Sequence, residues 1–264
     1  MEVLALADPS GRQAQLLEAL RRSLRVHGLA LRAASHDELA REARVEQTGL
    51  DARVLPDRPL LWLSPGATGR GRTPEDRFVA YENYSAARAV ALLSRAPVLN
   101  RPTVVAPCGT LPDNRAMAVR RAGSVLGVPQ RGEVFTSRAE DADGLTEVLD
   151  FATGRTAWRV PEDAAGPFRV RRGISTARAV AVRVVGSTTV SPRPVPRLLA
   201  ELSIRVAALF SLDLASVWWT GTSAEPYLSR IDGWHWDVSL AADLLPVAAA
   251  VADWTVDRLA EGAA

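Results

Sequence analysis

Glu2-Val3-Leu4-Ala5-Leu6-Ala7, followed at once by Asp8-Pro9-Ser10-Gly11, decides the fold class. A short apolar run that stops at turn-forming residues reads as a buried strand. Arg12 to His27 then carries Leu16, Leu17, Leu20 and Leu24 at helical spacing, and Gly28 closes it. Leu29 to Ala33 reads as a second strand, and Ser35 with Glu38 forms a capping box that starts a short polar helix. Pro59 to Leu63 (PLLWL) is a third strand. Glu75 to Ser94 is helical, with Phe78, Tyr81, Ala86, Val90 and Leu93 expected to face inward, and Ala96 to Asn100 is a fourth strand. Strands alternating with helices in this way build a small parallel α/β unit.

The second half reads differently. Asp113 to Leu126 has helical spacing and ends at Gly127; Glu133 to Thr136 is a strand, and Asp143 to Phe151 a helix. Strand-like pieces follow at Thr156 to Val160, Phe168 to Arg172 and Ala177 to Val185. In the last of these, Arg178, Val180, Val182 and Val184 alternate with Ala179, Ala181 and Arg183, as an antiparallel sheet requires. Ser191 to Pro196 (SPRPVP) is a stiff linker before a helix from Arg197 to Leu209. Leu214 to Thr220 and Pro226 to Ile231 form a hairpin, and Leu244 to Ala260 a terminal amphipathic helix. The chain is therefore α/β, with a parallel sheet first and an antiparallel one after it.

All 32 basic residues are arginine, and 30 acidic residues leave a net charge of only +2. A GC-rich coding bias accounts for the missing lysines, but no lysine chemistry is left to the protein. Nothing resembles the basic stripe of a nucleic-acid binder. Cys108 is the single cysteine, so no intramolecular disulfide forms and a cytoplasmic location is expected. The N-terminus lacks the basic region of a signal peptide. The longest apolar stretch, Leu240 to Trp254, is broken by Asp243, Pro246 and Asp253, which argues against a membrane span.

Gly66-Ala67-Thr68-Gly69-Arg70-Gly71-Arg72-Thr73 has the spacing of a phosphate-binding loop, with Arg72 where lysine belongs. Pro74, Glu75 and Asp76 follow immediately and place carboxylates where an anion would sit. The simpler reading is a Gly/Arg surface loop whose Arg70 and Arg72 touch an anionic ligand. His27 and His36 sit near helix ends, in capping or surface positions. His235, in Gly233-Trp234-His235-Trp236-Asp237, is the histidine placed for acid–base work, although packing between its tryptophans is the commoner fate of such a residue. Cys108 has no histidine near it in sequence and reads as a small buried residue. No histidine or cysteine spacing suits a metal.

From Trp62 onward the order of features resembles the ATP-grasp ligases. The closest likeness is to the maturases that crosslink ribosomally made peptides through ester or amide bonds, and to their glutamate-ligase relatives. Trp62 ends a strand as in the maturases, the resemblance implies an inward Glu82 on the helix that follows, and Val98-Leu99-Asn100-Arg101-Pro102 is similar to their V-N-x-P turn. Arg178 to Gly186 (RAVAVRVVG) resembles D-I-R-V-x-V-V-G, and Ala207 to Trp219 resembles L-A-x-x-L-G-L-D-F-A-x-V-D. Ser229 to Leu245 resembles L-E-V-N-P-x-G-x-W and the helix after it. The resemblance implies a Rossmann-like pre-ATP-grasp domain over residues 1–102 and a reduced ATP-grasp domain over residues 103–264, shortened in the central nucleotide lid.

The departures fall where the family does its chemistry. The strand Asp and Arg correspond to Ala179 and Ala181, the metal-binding Asp to Trp218, and the Glu and Asn of E-V-N to Arg230 and Asp232. The expectation is a degenerate ligase that binds a peptide or partner enzyme, with no cofactor and no metal, ATP and Mg²⁺ being the alternative. A homodimer is the other expected association, through Trp234 and Trp236 beside Trp218 and Trp219. If activity survives, His235, Asp232 and Arg230 are its candidate catalytic residues. Arg183, Arg178, Arg70 and Arg72 are then the candidate ligand contacts, Arg183 lying on the same strand face as the two alanines.

Overall fold

The computed structural model describes residues 1–7, 12–49, 51–63, 73–103, 115–128, 133–138, 147–150, 156–157, 167–171, 180–191, 193–221, 226–232 and 243–263. The first elements are β1 (Glu2–Leu6), α1 (Arg12–Val26), β2 (Ala30–Ala34), α2 (His36–Glu42), β3 (Arg44–Thr48) and β4 (Asp51–Leu55). After them come β5 (Leu60–Trp62), α3 (Pro74–Leu93), β6 (Val98–Leu99) and α4 (Arg115–Leu126). The middle holds β7 (Glu133–Thr136), β8 (Glu147–Asp150), β9 (Thr156–Ala157) and β10 (Phe168–Arg171). Last are β11 (Val180–Val185), β12 (Thr188–Val190), α5 (Arg197–Leu209), β13 (Leu214–Gly221), β14 (Pro226–Asp232) and α6 (Leu244–Ala263). None of the helices among the described residues is long and apolar enough to cross a membrane.

The opening strands form the expected parallel sheet, in the order β2-β1-β5-β6. Side chains alternate across it, so each face collects its own core. Val3, Ala5, Leu61 and Leu99 pack against Leu16, Leu17, Leu20 and Leu24 of α1. Leu4, Leu6, Trp62 and Val98 pack on the other face against Leu39, Tyr84, Ala87 and Val90. Ser35 caps α2 through the predicted reciprocal pair, accepting from Glu38 N–H at 3.1 Å while its own N–H donates to Glu38 at 2.7 Å.

Four points of the sequence reading are corrected. The pair β3–β4 is an antiparallel ribbon between the second and third predicted strands that the sequence reading passed over. Helix α3 turns Tyr84, Ala87, Val90 and Ala91 inward, leaving Phe78, Tyr81, Glu82, Ala86 and Leu93 exposed. The small residues let the helix lie close on the sheet, and the aromatics picked for the core lie off that stripe. Glu147–Asp150 is strand and not helix, since it pairs antiparallel with Phe168–Arg171, and sheet pairing overrides local propensity. His36 is also packed more deeply than a surface residue. Its ring lies 5.2 Å from that of Trp62 and 5.4 Å from that of Tyr84, and burial pulls its pKa below the ordinary value.

The central antiparallel sheet has the order β7-β10-β8-β9, so the middle segment is a sheet of its own. The last sheet runs β12-β11-β13-β14, also antiparallel. Its Val182, Val184, Val217 and Trp219 pack under α4 and α5, and the Trp219 indole donates to Ser203 Oγ at 2.8 Å. On the opposite face, Val185 and Leu214 join the core that α6 shares with α1 and the parallel sheet.

Asn100 ties the two sheets together. Its side-chain N–H donates to Leu214 O at 2.9 Å, and its Oδ1 accepts from Leu214 N–H at 2.8 Å. The residue is fully buried at φ 55°, a left-handed conformation that asparagine tolerates well. Next to it, Arg101 donates to the carbonyls of Ala91, Ser94 and Ala96 and closes the end of α3. Asn100→Ala leaves both groups of a buried strand unpaired and should cost about 3–5 kcal/mol in urea unfolding. A loss under about 1 kcal/mol would show that water replaces the amide.

Candidate functional site

The site is built on the face of the last sheet turned away from α4 and α5. Strand alternation puts Ala181 and Arg183 there from β11, Ser216 and Trp218 from β13, and Arg230 and Asp232 from β14. Pairing then fixes two cross-strand rows, Ala181–Trp218–Arg230 and Arg183–Ser216–Asp232. A bulge opposite Trp218/Trp219 keeps this order: Trp218 pairs with Arg230 and Trp219 with Leu228, leaving Ser229 as the extra residue. The Ser229 hydroxyl donates to Trp218 O at 3.0 Å. The bulge lets Leu228 and Ile231 both join the apolar face while Arg230 stays on the polar one.

Charge and ring then interlock. Arg183 is 1% exposed, and its guanidinium carbon lies 5.5 Å from the centre of the Trp218 ring. That of Arg230 lies 5.9 Å from the same ring. Each such contact contributes on the order of 0.5–2 kcal/mol, more where water is excluded. Arg230 Nε meets Asp232 Oδ2 at 2.5 Å, and Arg183 Nε meets Asp243 Oδ2 at 3.8 Å. Asp243 stands at the entry to α6, fully buried, and neither of its oxygens accepts a hydrogen bond among the described residues. Burial pushes its pKa up, and Arg183 pulls it back down.

Of the predicted site residues, Arg183, Arg230 and Asp232 come together on this face. Arg70, Arg72, Arg178, Trp234, His235 and Trp236 lie outside the described residues, as does Cys108. Trp218 and Trp219 do not form one cluster; as strand neighbours they point to opposite faces, one beside the arginines and one into the core. Asp243 is the site residue the sequence reading missed. In the sequence it stands only as a charge that interrupts the apolar stretch Leu240 to Trp254, and a carboxylate beside apolar residues at a helix start is the signal that could have marked it as an arginine's partner.

The sequence matches no family model and no curated protein. The fold has clear likenesses. MdnC, a macrocyclase from Microcystis aeruginosa bound with the precursor peptide MdnA, superposes with a TM-score of 0.71 at 13% identity, over 97% of this chain and 100% of that one. A Chryseobacterium gregarium RiPP-associated ATP-grasp ligase in complex with ADP and a leader and core peptide gives 0.69 at 12% identity, over 97% of both chains. PsnB, an ATP-grasp ligase complexed with a minimal precursor variant, Mg and ADP, gives 0.69 at 13%, over 97% of this chain and 98% of that one. The chain has the ATP-grasp fold, and its structural neighbours include ATP-grasp ligases complexed with precursor peptides.

The buried pair makes a pH-dependent prediction. In Arg183→Ala, Asp243 loses its counter-ion and its folded pKa rises further. The penalty holds above that pKa and disappears as pH falls through it, because the folded state then takes up a proton. The variant should lose about 3–5 kcal/mol at neutral pH and distinctly less near pH 5, with Asp243→Asn in the same chain restoring most of it. Urea unfolding at the two pH values checks this; a loss that ignores pH would show that Asp243 is not the partner.

Proposed function

We propose that this chain is a catalytically degenerate ATP-grasp ligase homologue that binds a peptide or partner enzyme in a natural-product or modified-peptide pathway. The observation that carries the reading is the row Ala181–Trp218–Arg230. The family resemblance assigns an arginine, a metal-binding aspartate and a glutamate to those positions. Mg²⁺ takes oxygen ligands at ~2.0–2.1 Å in an octahedral arrangement. Here an indole between two guanidinium groups stands in that place, and Asp232 and Asp243 each face an arginine. Among the described residues no three histidine, cysteine or carboxylate groups gather to hold a metal. These residues do not fit Mg²⁺, and no phosphoryl transfer is derived from them.

What the site retains is recognition. Arg230 is about a third exposed beside its partner Asp232, so it is the arginine of the face that reaches solvent. Trp234, His235 and Trp236 follow directly in sequence and supply the aromatic anchors of an interface for a peptide or a second copy. In this reading residues 1–102 and 103–264 are the two units of a cytoplasmic scaffold. Arg178, Arg70 and Arg72 contact anionic groups of the bound partner, whereas Arg183, expected as a ligand contact, is buried against Asp243 and holds the face together from within.

With ATP, Mg²⁺ and acidic peptides, the protein should release no ADP above the background of a heat-inactivated sample. Trp218→Asp should not change this, because one carboxylate does not assemble a metal site. Sustained ADP release by the parent would overturn the reading. Trp234→Ala and Trp236→Ala should each weaken peptide or self-association by at least ~1 kcal/mol while leaving the unfolding midpoint in place. Light scattering and peptide titration measure both; unchanged association would move the interface elsewhere.

A further inference from the structure

A cavity of about 480 Å³ opens on another part of the molecule, between the last turn of α5 and the C-terminal half of α6. Its walls include Gly186, Ala208, Asp213, Trp254, Asp257 and Glu261. That volume lies within the range of small-ligand sites, ~300–1,000 Å³. No residue of the Arg183–Trp218–Arg230 face lines it.

We infer that this cavity is a binding site for a guanidinium-bearing ligand. Gly186 fixes the aromatic wall: at φ 56° it has no side chain, and a Cβ there would lie 2.8 Å from Trp254 Cδ1. The turn backbone and the indole are therefore in close contact. The opposite wall is the carboxyl end of α5, whose dipole favours positive charge. Asp213 is a half-buried carboxylate that accepts Asn100 N–H at 3.3 Å, and no arginine closes an ion pair with it among the described residues. Burial pushes its pKa up against the pull of that N–H, of the more distant Arg258 and Arg101, and of the Trp254 indole N–H.

The chain itself shows which chemistry this wall accepts. Arg258 places its guanidinium carbon 5.9 Å from the Trp254 ring centre and meets Glu261 at 2.8 Å. Its side chain is 49% exposed and held by a neighbouring turn of its own helix, an arrangement worth little in water. It can swing aside for a ligand that reaches both the indole and the deeper Asp213. Three carboxylates against one arginine give the cavity a negative field, the reverse of what a phosphate needs. A guanidinium suits it better than an ammonium, because it stacks on an aromatic ring and offers a planar fork to carboxylates.

The test is titration of the full chain with N-acetyl-arginine amide, its neutral isostere N-acetyl-citrulline amide, and agmatine, followed by the Trp254 indole N–H resonance. Trp254→Phe assigns that resonance. The arginine amide should shift it saturably and the citrulline amide should not. Arg258→Ala, which vacates the ring, should tighten binding about threefold; Asp257→Asn with Glu261→Gln should weaken it about fivefold. Agmatine binding as well as the amide would support a free small cation as the ligand, and a preference for the amide would support an arginine of a peptide. Equal shifts with citrulline, or no saturable shift in either the parent or Arg258→Ala, would overturn the inference. Because no arm uses the Trp218 face, failure here is distinct from failure of the proposed function.

Discussion

The side-chain amide of Asn100 closes two hydrogen bonds on the backbone of Leu214, and the placement of everything downstream depends on them. A parallel sheet covered on both faces has no intrinsic reason to hold a second, antiparallel sheet at a fixed position. Here one buried residue at the end of β6 grips the start of β13, and its own N–H reaches Asp213 one residue earlier. Strand β13 then carries Ser216 and Trp218 to their places by pairing with β11 and β14. Helix α6 locks the arrangement from outside, packing Val247, Val251 and Ala252 among residues of α1 and both sheets.

The two sides of the same strand carry different side chains. Its inward side chains, Ala215, Val217 and Trp219, are core, and a change there costs packing. On its other side the Trp218 indole is accommodated between the guanidinium groups of Arg183 and Arg230. A metal-binding carboxylate and a guanidinium-flanked tryptophan are opposite solutions for one position: the first concentrates negative charge, the second positive. Asp243 and Asp232 balance that positive charge locally.

The periodicity of the sequence made the parallel sheet legible, because β1, α1 and β5 carry uninterrupted apolar runs and apolar stripes. It also placed Arg183 on the same face as Ala181, since alternation along a strand has only two phases. The ribbon β3–β4 was hidden because Arg44–Thr48 is largely exposed and shows little apolar pattern. The inward face of α3 was misjudged in phase: the stripe through Tyr84, Ala87 and Ala91 faces the sheet, and Phe78, Tyr81 and Ala86 lie off it. Asp243 was illegible for a different reason. Its role depends on Arg183, sixty residues away in sequence, and only the crossing of α6 over the sheet brings them together.

We propose that the fold remains and the nucleotide–metal site does not. Calorimetric titration of the intact protein with ATP in the presence of Mg²⁺ tests it most directly. The account predicts no saturable heat up to millimolar nucleotide, with or without the metal. A one-to-one isotherm with a micromolar Kd that disappears on chelation of Mg²⁺ would contradict it.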